Sequence, residues 1–477
     1  MPERAFDLVV VGAGPAGASA AVEARRHGLS VAVLDENRAA GGQVFRAPMF
    51  PGVAVGPSPD ADEGARLRDD LDRSGADVFL GHMVWNVAPG GAVSAIDRRG
   101  ASEFRGRLVL LATGTTEKVV PVPGLTTPGV IGLAAATVAL KSHGAVPPGP
   151  TVVAGVGPLV YAVAAGILKT GGRVAAALDL ARPADWLAVL PSLAVRPDLL
   201  SRGFGWAIAL RRAGVPLLFG HTVTAIEGGD AVREVVVRRV RNDWSPDPSD
   251  PGRRITAGGV AIGHGLVPAI EPARLLAVPH DYRPERGGWV PRVREDRTTD
   301  VPAVLVAGDC AGVSGAAAAV LAGRLAGLTA AREAGALDAA AWAERAAPVR
   351  AALGWAERFG WAISALMRTR PGLVGAVAAD TVVCRCEDVT RSAIEEALRR
   401  GAVHVNQIKS ATRCGMGPCQ GRMCGETVAQ IVADATNRPR ADAGHWTART
   451  PLRTVPLERL LGAYAYEDIP RPPPQPG

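Results

Sequence analysis

The stretch Phe6-Asp-Leu-Val-Val-Val11, followed by Gly12-Ala-Gly14-Pro-Ala-Gly17, decides how this chain folds. A β-branched run leads into three glycines at G-x-G-x-x-G spacing, then an alanine-rich helical segment to about His27. A second apolar run, Leu29 to Leu34, ends in Asp35-Glu36. Strand, glycine turn, helix, strand and acid are the order and length of a dinucleotide-binding β-α-β unit. Gly12 permits the tight turn, Gly14 lets backbone approach a pyrophosphate, and Gly17 lets the helix pack on the strand. Past Pro15 and Ala16 the helix N-terminus offers free N–H groups and a partial positive charge to phosphates. Asp35 is placed to accept hydrogen bonds from an adenosine ribose, with Glu36 as the alternative.

Distant segments choose between NAD and FAD. Leu108-Val-Leu-Leu-Ala-Thr113-Gly114 is an apolar strand closing on Thr-Gly, and Thr299 to Gly308-Asp309 is another closing on Gly-Asp. With Gly41-Gly42-Gln43 these resemble the flavin signatures of the pyridine-nucleotide-disulfide-reductase superfamily. The resemblance implies an FAD site in which Asp309 binds the ribityl chain and the helix after Gly312 points its N-terminus at the flavin ring. Gly42, Gln43, Arg46, Thr113, Gly114 and Gly308 complete the expected set. The disulfide reductases of that superfamily need a cysteine pair near the flavin. Cys310 stands alone here and reads as a small buried packing residue.

The pattern recurs in the middle of the chain. Thr151 to Ala154 leads into Gly155-Val-Gly157-Pro-Leu-Val160, a helix to about Lys169, and a run ending in Asp179. Val160 occupies the third glycine position, where its side chain holds helix and strand apart, and Asp179 would repel a 2′-phosphate. A vestigial or adenylate-binding unit is therefore favoured over a working NADH site.

Five of the six cysteines lie between Cys384 and Cys424. Cys384-Arg-Cys386 and, after a long gap, Cys414 and Cys419 give C-x-C and C-x4-C pairs. Four soft thiolates suit a two-iron two-sulfur cluster; zinc is the rival, although C-x-C is tight for one tetrahedral ion. Thr390 reads as an N-cap ahead of a helix stopped by Gly401, and a further helix follows Gln420. The segment resembles the bacterioferritin-associated-ferredoxin-like domain, including Gly415-Met-Gly-Pro-Cys419-Gln-Gly421. Cys424 is left over, as a spare thiol or a substitute ligand.

Composition excludes several classes. The net charge of +7 is spread without a basic run, which argues against nucleic-acid binding. The uncharged stretch Thr151 to Leu168 reaches membrane-spanning length, but its glycines and Pro158 read as strand, turn and helix. Met1 leads directly into the first strand without signal-peptide order, and clustered cysteines suit a reducing compartment. A cytoplasmic location follows, with peripheral attachment to the inner membrane left open. The loop Asn242 to Arg254 reads as surface. The alanine-rich segment after Gly335 reads as helix broken at Pro348, with Trp342, Trp355 and Trp361 read as buried helix faces ahead of an interface. The Pro-Arg-Pro-Pro-Pro-Gln-Pro-Gly end reads as extended or disordered.

The expected architecture is α/β: an FAD domain over 1–125 and 270–335, an inserted degenerate nucleotide domain over 126–269, a helical linker over 336–380, the cluster domain over 381–437, and a tail over 438–477. In this order of parts the chain resembles the α subunits of heteromeric bacterial amino-acid and opine dehydrogenases, of the opine oxidase, D-hydroxyproline dehydrogenase and hydrogen cyanide synthase type. Gly41-Gly-Gln-Val-Phe-Arg46, Ala154 to Leu159, Gly263-His-Gly-Leu-Val-Pro268 and Thr412 to Gly421 carry the match. The resemblance implies an electron-transferring subunit that works with a separate flavoprotein β subunit, similar to amino-acid oxidases, which holds the amino-acid or opine substrate. Two alternatives stay open: a self-sufficient NADH-dependent reductase, and an iron-trafficking or docking module. No catalytic side chain can be placed over the flavin from sequence.

Overall fold

The computed structural model describes residues 3–50 and 59–460; the Pro-rich end lies outside them. Strands Glu3–Val11 and Val31–Asp35 run parallel in register Leu8↔Val31, joined by helix Pro15–Arg26. Both read as continuous apolar runs because both faces of the sheet are covered, and Leu8, Val9, Val10, Ala32 and Val33 have no exposed surface. Strands Asp77–Leu80 and Ala101–Leu111 flank the pair, also parallel. The long strand Ala101–Leu111 has two further neighbours: Ala92–Ile96 pairs antiparallel with its first half, and Val304–Val306 pairs parallel with its last three residues. The chain thus returns, after the inserted unit, to bring Gly308 against Ala16.

Helix Ala316–Glu333 follows that return strand and packs on helix Pro15–Arg26. The approach is backbone-close: a Cβ at Gly323 would stand 2.0 Å from the Ala16 carbonyl oxygen. The small residues at this contact, Ala20, Ala24, Ala322 and Ala326 among them, belong to one buried cluster. Alanine richness, which looks like coding bias in the sequence, has a packing use here.

The inserted unit is a five-stranded parallel sheet, Pro150–Gly155 at its centre, beside the antiparallel sheet His221–Gly228, Val232–Arg239, Arg253–Thr256. Strands Thr115–Glu117 and Leu266–Pro268 carry the chain out and back, paired antiparallel. The uncharged stretch is strand Pro150–Gly155 and helix Pro158–Lys169, and no helix among the described residues is long and apolar enough to cross a membrane. The loop after residue 241 is anchored by Trp244, which is 1% exposed.

Helix Ala339–Leu366 runs through Pro348 without the expected break. Proline deletes one N–H bond there, and burial of Ala346, Val349 and Leu353 in the main core outweighs it. Trp355 is 56% exposed, against the buried position expected of it, with the Arg358 guanidinium over its ring. The C-terminal module is a hairpin, Val382–Cys384 with Val389–Thr390, and helices Arg391–Arg399, Val405–Thr412 and Gly425–Thr436. Thr390 caps the first through the Ala393 N–H and Gly401 ends it at positive φ, as the sequence places them. Beyond 437 the chain does not trail away: Trp446 and Leu452 are buried, and the Leu452 N–H donates to the Trp85 carbonyl at 2.7 Å.

Candidate flavin and cysteine sites

A cavity of about 220 Å³ opens along the carboxyl ends of the first sheet. Gly12, Gly14, Pro15, Ala16, Asp35, Glu36, Gly42, Gln43, Thr113, Gly114, Gly308 and Asp309 all line it. Two expected residues do not. Gly17 works from behind, since a Cβ there would stand 1.8 Å from the Gly12 carbonyl oxygen. Arg46 is a brace and not a wall: its guanidinium is spent on Gln43 Oε1, Asn37 Oδ1 and Ser142 Oγ.

The carboxylates divide their work. Asp35 is buried and accepts the Ala13 N–H at 2.7 Å and two bonds from Asn37, so it fixes the glycine turn. Glu36 is exposed at the rim, 3.4 Å from Arg453. Asp309 Oδ1 accepts the N–H groups of Ser314 and Gly315 ahead of helix Ala316–Glu333, while burial raises its pKa. Ala316 and Ala319 of that helix line the cavity, so its N-terminal end faces in. Cys310 is 2% exposed and its thiol donates to the Leu111 and Ala307 carbonyls, the packing role read from sequence. A glycine turn at one wall and a helix N-terminus at another fit the pyrophosphate and ring ends of a flavin dinucleotide.

Glu271, Arg422, Leu452 and Arg453 are among the wall residues that carry no signal in the sequence. Three come from the C-terminal module or the strap behind it, so local pattern gives no sign of them. His82 also lines the cavity, with Nε2 3.8 Å from Asp97 Oδ2. It is a histidine with an acidic partner, placed beside Asp35 by its backbone bond to that residue.

In the inserted unit, protein side chains pack around the second glycine turn. Val160 is fully buried. Asp179 accepts from the Tyr161 hydroxyl at 2.8 Å, the Trp186 indole at 2.9 Å and the N–H groups of Gly157 and Ala181. Burial raises its pKa to about 6 against those bonds. A Cβ at Gly157 would lie 2.9 Å from Met367 Cγ, so the Met367 side chain packs directly on this glycine.

The cysteines gather in the C-terminal module. The Sγ atoms of Cys384, Cys414 and Cys424 lie within 4.8 Å of one another, all three buried. Hydrogen bonds from the thiols of Cys414 and Cys424 push the pKa of Cys384 down. Cys386 interacts with Cys419 beside them, and both are half-buried. Cys424 is therefore inside the constellation, 3.9 Å from Cys414 Sγ, and not a spare thiol at its edge. The loop closes because Gly417 has no side chain: a Cβ there would stand 2.2 Å from Cys386 Cβ.

A second cavity, about 310 Å³, lies beside the flavin cavity and is lined by Gly415, Met416, Gln420 and Gly421 of the cysteine loop. It runs beside Gly415, Gly421 and Trp446 and shares Thr116, Glu271, Arg422 and Leu452 with the flavin cavity. Arg422 spans them: it donates to the Cys419 and Leu452 carbonyls and pairs with Glu271 at 3.1 Å.

The family model described as pyridine nucleotide-disulphide oxidoreductase matches residues 6–335, and that of the sarcosine oxidase A3 domain matches residues 379–463. An opine oxidase subunit of Agrobacterium tumefaciens (strain Ach5) is 34% identical over 472 residues, 95% of this chain and 91% of that one. The hydrogen cyanide synthase subunit HcnB of Pseudomonas protegens is 32% identical over 463 residues, 94% of this chain and 96% of that one. This chain belongs to their family. It is an FAD-dependent oxidoreductase with a flavin half of the pyridine nucleotide-disulphide oxidoreductase type. L-proline dehydrogenase from P. horikoshii shares the fold, with a TM-score of 0.69 at 19% identity over 96% of this chain and 80% of that one. The A3 match reaches residue 463, so the strap behind the cysteine helices belongs with the module.

Proposed function

We propose that this chain is the electron-transferring α subunit of a heteromeric amino-acid or opine dehydrogenase, holding FAD in the first cavity and a two-iron two-sulfur cluster on its cysteine loop. The observation that carries this is Arg422, which lines the flavin cavity, pairs with Glu271 of its wall and donates to the Cys419 carbonyl of the cysteine loop. When bound, FAD supplies a two-electron centre and the cluster a one-electron centre. The protein contributes position. Gly12 and Gly14 admit the pyrophosphate, Glu36 serves the ribose, Asp309 and helix Ala316–Glu333 face the isoalloxazine end, and Arg422 ties the Cys419 carbonyl to the flavin wall.

The thiol set fits a cluster. Cys384, Cys386 and Cys419 supply three ligands, and Cys414 and Cys424 stand side by side for the fourth. Five clustered thiols cannot all ionise without cations among them, whereas bound iron neutralises them. Met367 packed against Gly157 in the inserted unit supports this reading over a self-sufficient NADH reductase. All six cysteines are free, which fits a reducing cytoplasm. A separate flavoprotein similar to amino-acid oxidases then holds the substrate.

The test has two parts. Co-purification with a neighbouring amino-acid-oxidase-like gene product should give dye reduction by proline, hydroxyproline, opines or glycine that this chain alone lacks. Cys384→Ser, Cys386→Ser and Cys419→Ser should each abolish the visible charge-transfer absorption while FAD stays bound. Of Cys414→Ser and Cys424→Ser only one should do so. About one zinc per chain without acid-labile sulfide would overturn the cluster, and full activity without a partner would overturn the subunit reading.

A further inference from the structure

The wall of the flavin cavity has an uneven charge. Its carboxylates are Asp35, Glu36, Glu271 and Asp309, and all of them come from the flavin unit. Its guanidiniums are Arg422 and Arg453, and both come from the C-terminal module and the strap behind it. No lysine and no other arginine lines the cavity among the described residues. A flavin dinucleotide carries a dianionic diphosphate into this acidic wall. The flavin unit meets it with backbone N–H groups and helix N-termini, and with no ammonium or guanidinium of its own.

The two arginines are not equivalent. Arg422 is committed to protein: its side chain is 9% exposed, Nε lies 3.1 Å from Glu271 Oε1, and Nη1 and Nη2 donate to the Cys419 and Leu452 carbonyls and to Gln420 Oε1. Arg453 is not. Its side chain is 37% exposed, and its one ion-pair partner among the described residues is Glu36, itself 47% exposed, with Oε1 3.4 Å from Nη2. A half-exposed pair at that distance contributes little, and Nε and Nη1 keep their donors for another acceptor. The backbone that carries Arg453 is fixed nonetheless, because the preceding Leu452 is buried and its N–H is bonded to the Trp85 carbonyl. A ribose hydroxyl that donates to Glu36 takes over the carboxylate that Arg453 now meets, which leaves a positioned cation beside a dianion. Guanidinium and phosphate form charge-assisted hydrogen bonds of the stronger kind.

We propose that Arg453 is a cofactor-binding residue, the cation with which the C-terminal strap completes the flavin unit's site: its guanidinium donates to the FAD diphosphate while Glu36 takes the adenosine ribose. The inference rests on the first cavity being the FAD site. FAD then touches flavin unit and strap together, so its binding tightens the hold of the cysteine module on the flavin unit.

The experiment uses the full chain, stripped of flavin and titrated with FAD at low and high salt, with ADP and adenosine as competitors and flavin fluorescence as the signal. Arg453→Gln should weaken FAD and ADP about tenfold, as expected for one lost charge-assisted bond, and leave adenosine unchanged. The loss should shrink at high salt, where the charge is screened. Arg453→Lys keeps the charge and should recover most of the affinity. FAD affinity in Arg453→Gln equal to that of the unmodified chain, or an equal loss for ADP and adenosine, would overturn the assignment. An unmodified chain that fails to take up FAD would overturn the FAD reading of the cavity itself. Should Arg453→Gln lose its melting transition, Arg453→Met, which keeps the apolar stem, decides by the same criterion.

Discussion

Leu452→Ala tests whether the strap behind the cysteine module holds the flavin cavity shut. Leu452 is 4% exposed and packs in the flavin-domain core with Val84 and Leu276. The strap is pinned around it by Leu452 N–H to the Trp85 carbonyl at 2.7 Å, Thr450 to Asn86 at 2.7 Å, and Gln420 to the Pro451 carbonyl at 2.8 Å. A buried Leu→Ala change costs about 2–5 kcal/mol. The low end is the relevant one, because a surface strap can settle into the space. If that cost falls on strap closure, about 2 kcal/mol multiplies the open fraction by about 30. Leu452 and Arg453 line the FAD cavity, so the open state is the one that releases cofactor. Dilution of the holoprotein with an apoflavoprotein trap, followed by flavin fluorescence, should show FAD leaving about 30-fold faster. An unchanged release rate, with the variant otherwise folded, would refute the strap as a closing element.

Three further outcomes follow from the geometry. Gly17→Ala places a Cβ 1.8 Å from the Gly12 carbonyl, so the variant should purify without FAD and with a lowered melting temperature. Stopped-flow mixing with NADH should leave the flavin oxidised, and Val160→Gly should not change that, because Met367 still covers Gly157. Glu117 is raised from 4.5 to about 7 by burial, against the N–H groups of Ala134, Leu133 and Ala135. Its folded-state pKa exceeds the unfolded one, so its stability contribution is full below about pH 4.5 and lost as pH rises to about 7. The loss is about 3 kcal/mol, and a difference in urea midpoints between the protein and Glu117→Gln that stays constant from about pH 4 to about pH 8 would refute it.

The flavin half was legible because its chemistry is local. Three glycines, an acid at a strand end and two Gly-terminated strands sit in short windows, and backbone proximity to phosphate leaves few other residues possible. The cap Thr390 and stop Gly401 were readable for the same reason. What escaped depends on contacts between distant segments. Arg453 meets Glu36 and Arg422 meets Glu271 only after the chain has folded back, and no spacing announces it. Arg46 has the right neighbours in sequence, yet Gln43, Asn37 and Ser142 use up its donors. Cys424 reads as surplus beside the C-x4-C pair, and the fold turns it back onto Cys384 and Cys414. Pro348 shows the converse, a strong local signal overruled by a long buried helix face.

The packing over Gly157 and the position of the cysteine module have one cause. Met367, whose side chain covers Gly157, directly follows helix Ala339–Leu366, and the next residues lead into the C-terminal module. Arg370 then bonds Asp185 and the Asn242 carbonyl and lies over Trp244, so the linker end is seated on the inserted unit by several contacts. Leu366, Leu373 and Val374 share a buried cluster with Val156, Leu180, Cys384, Cys414 and Cys424. A nicotinamide dinucleotide entering beside Gly157 would have to displace the linker end, and with it the packing beneath the cysteine loop. The inserted unit therefore serves as a socket for the linker, and its glycine turn is part of the surface on which the cysteine module is seated.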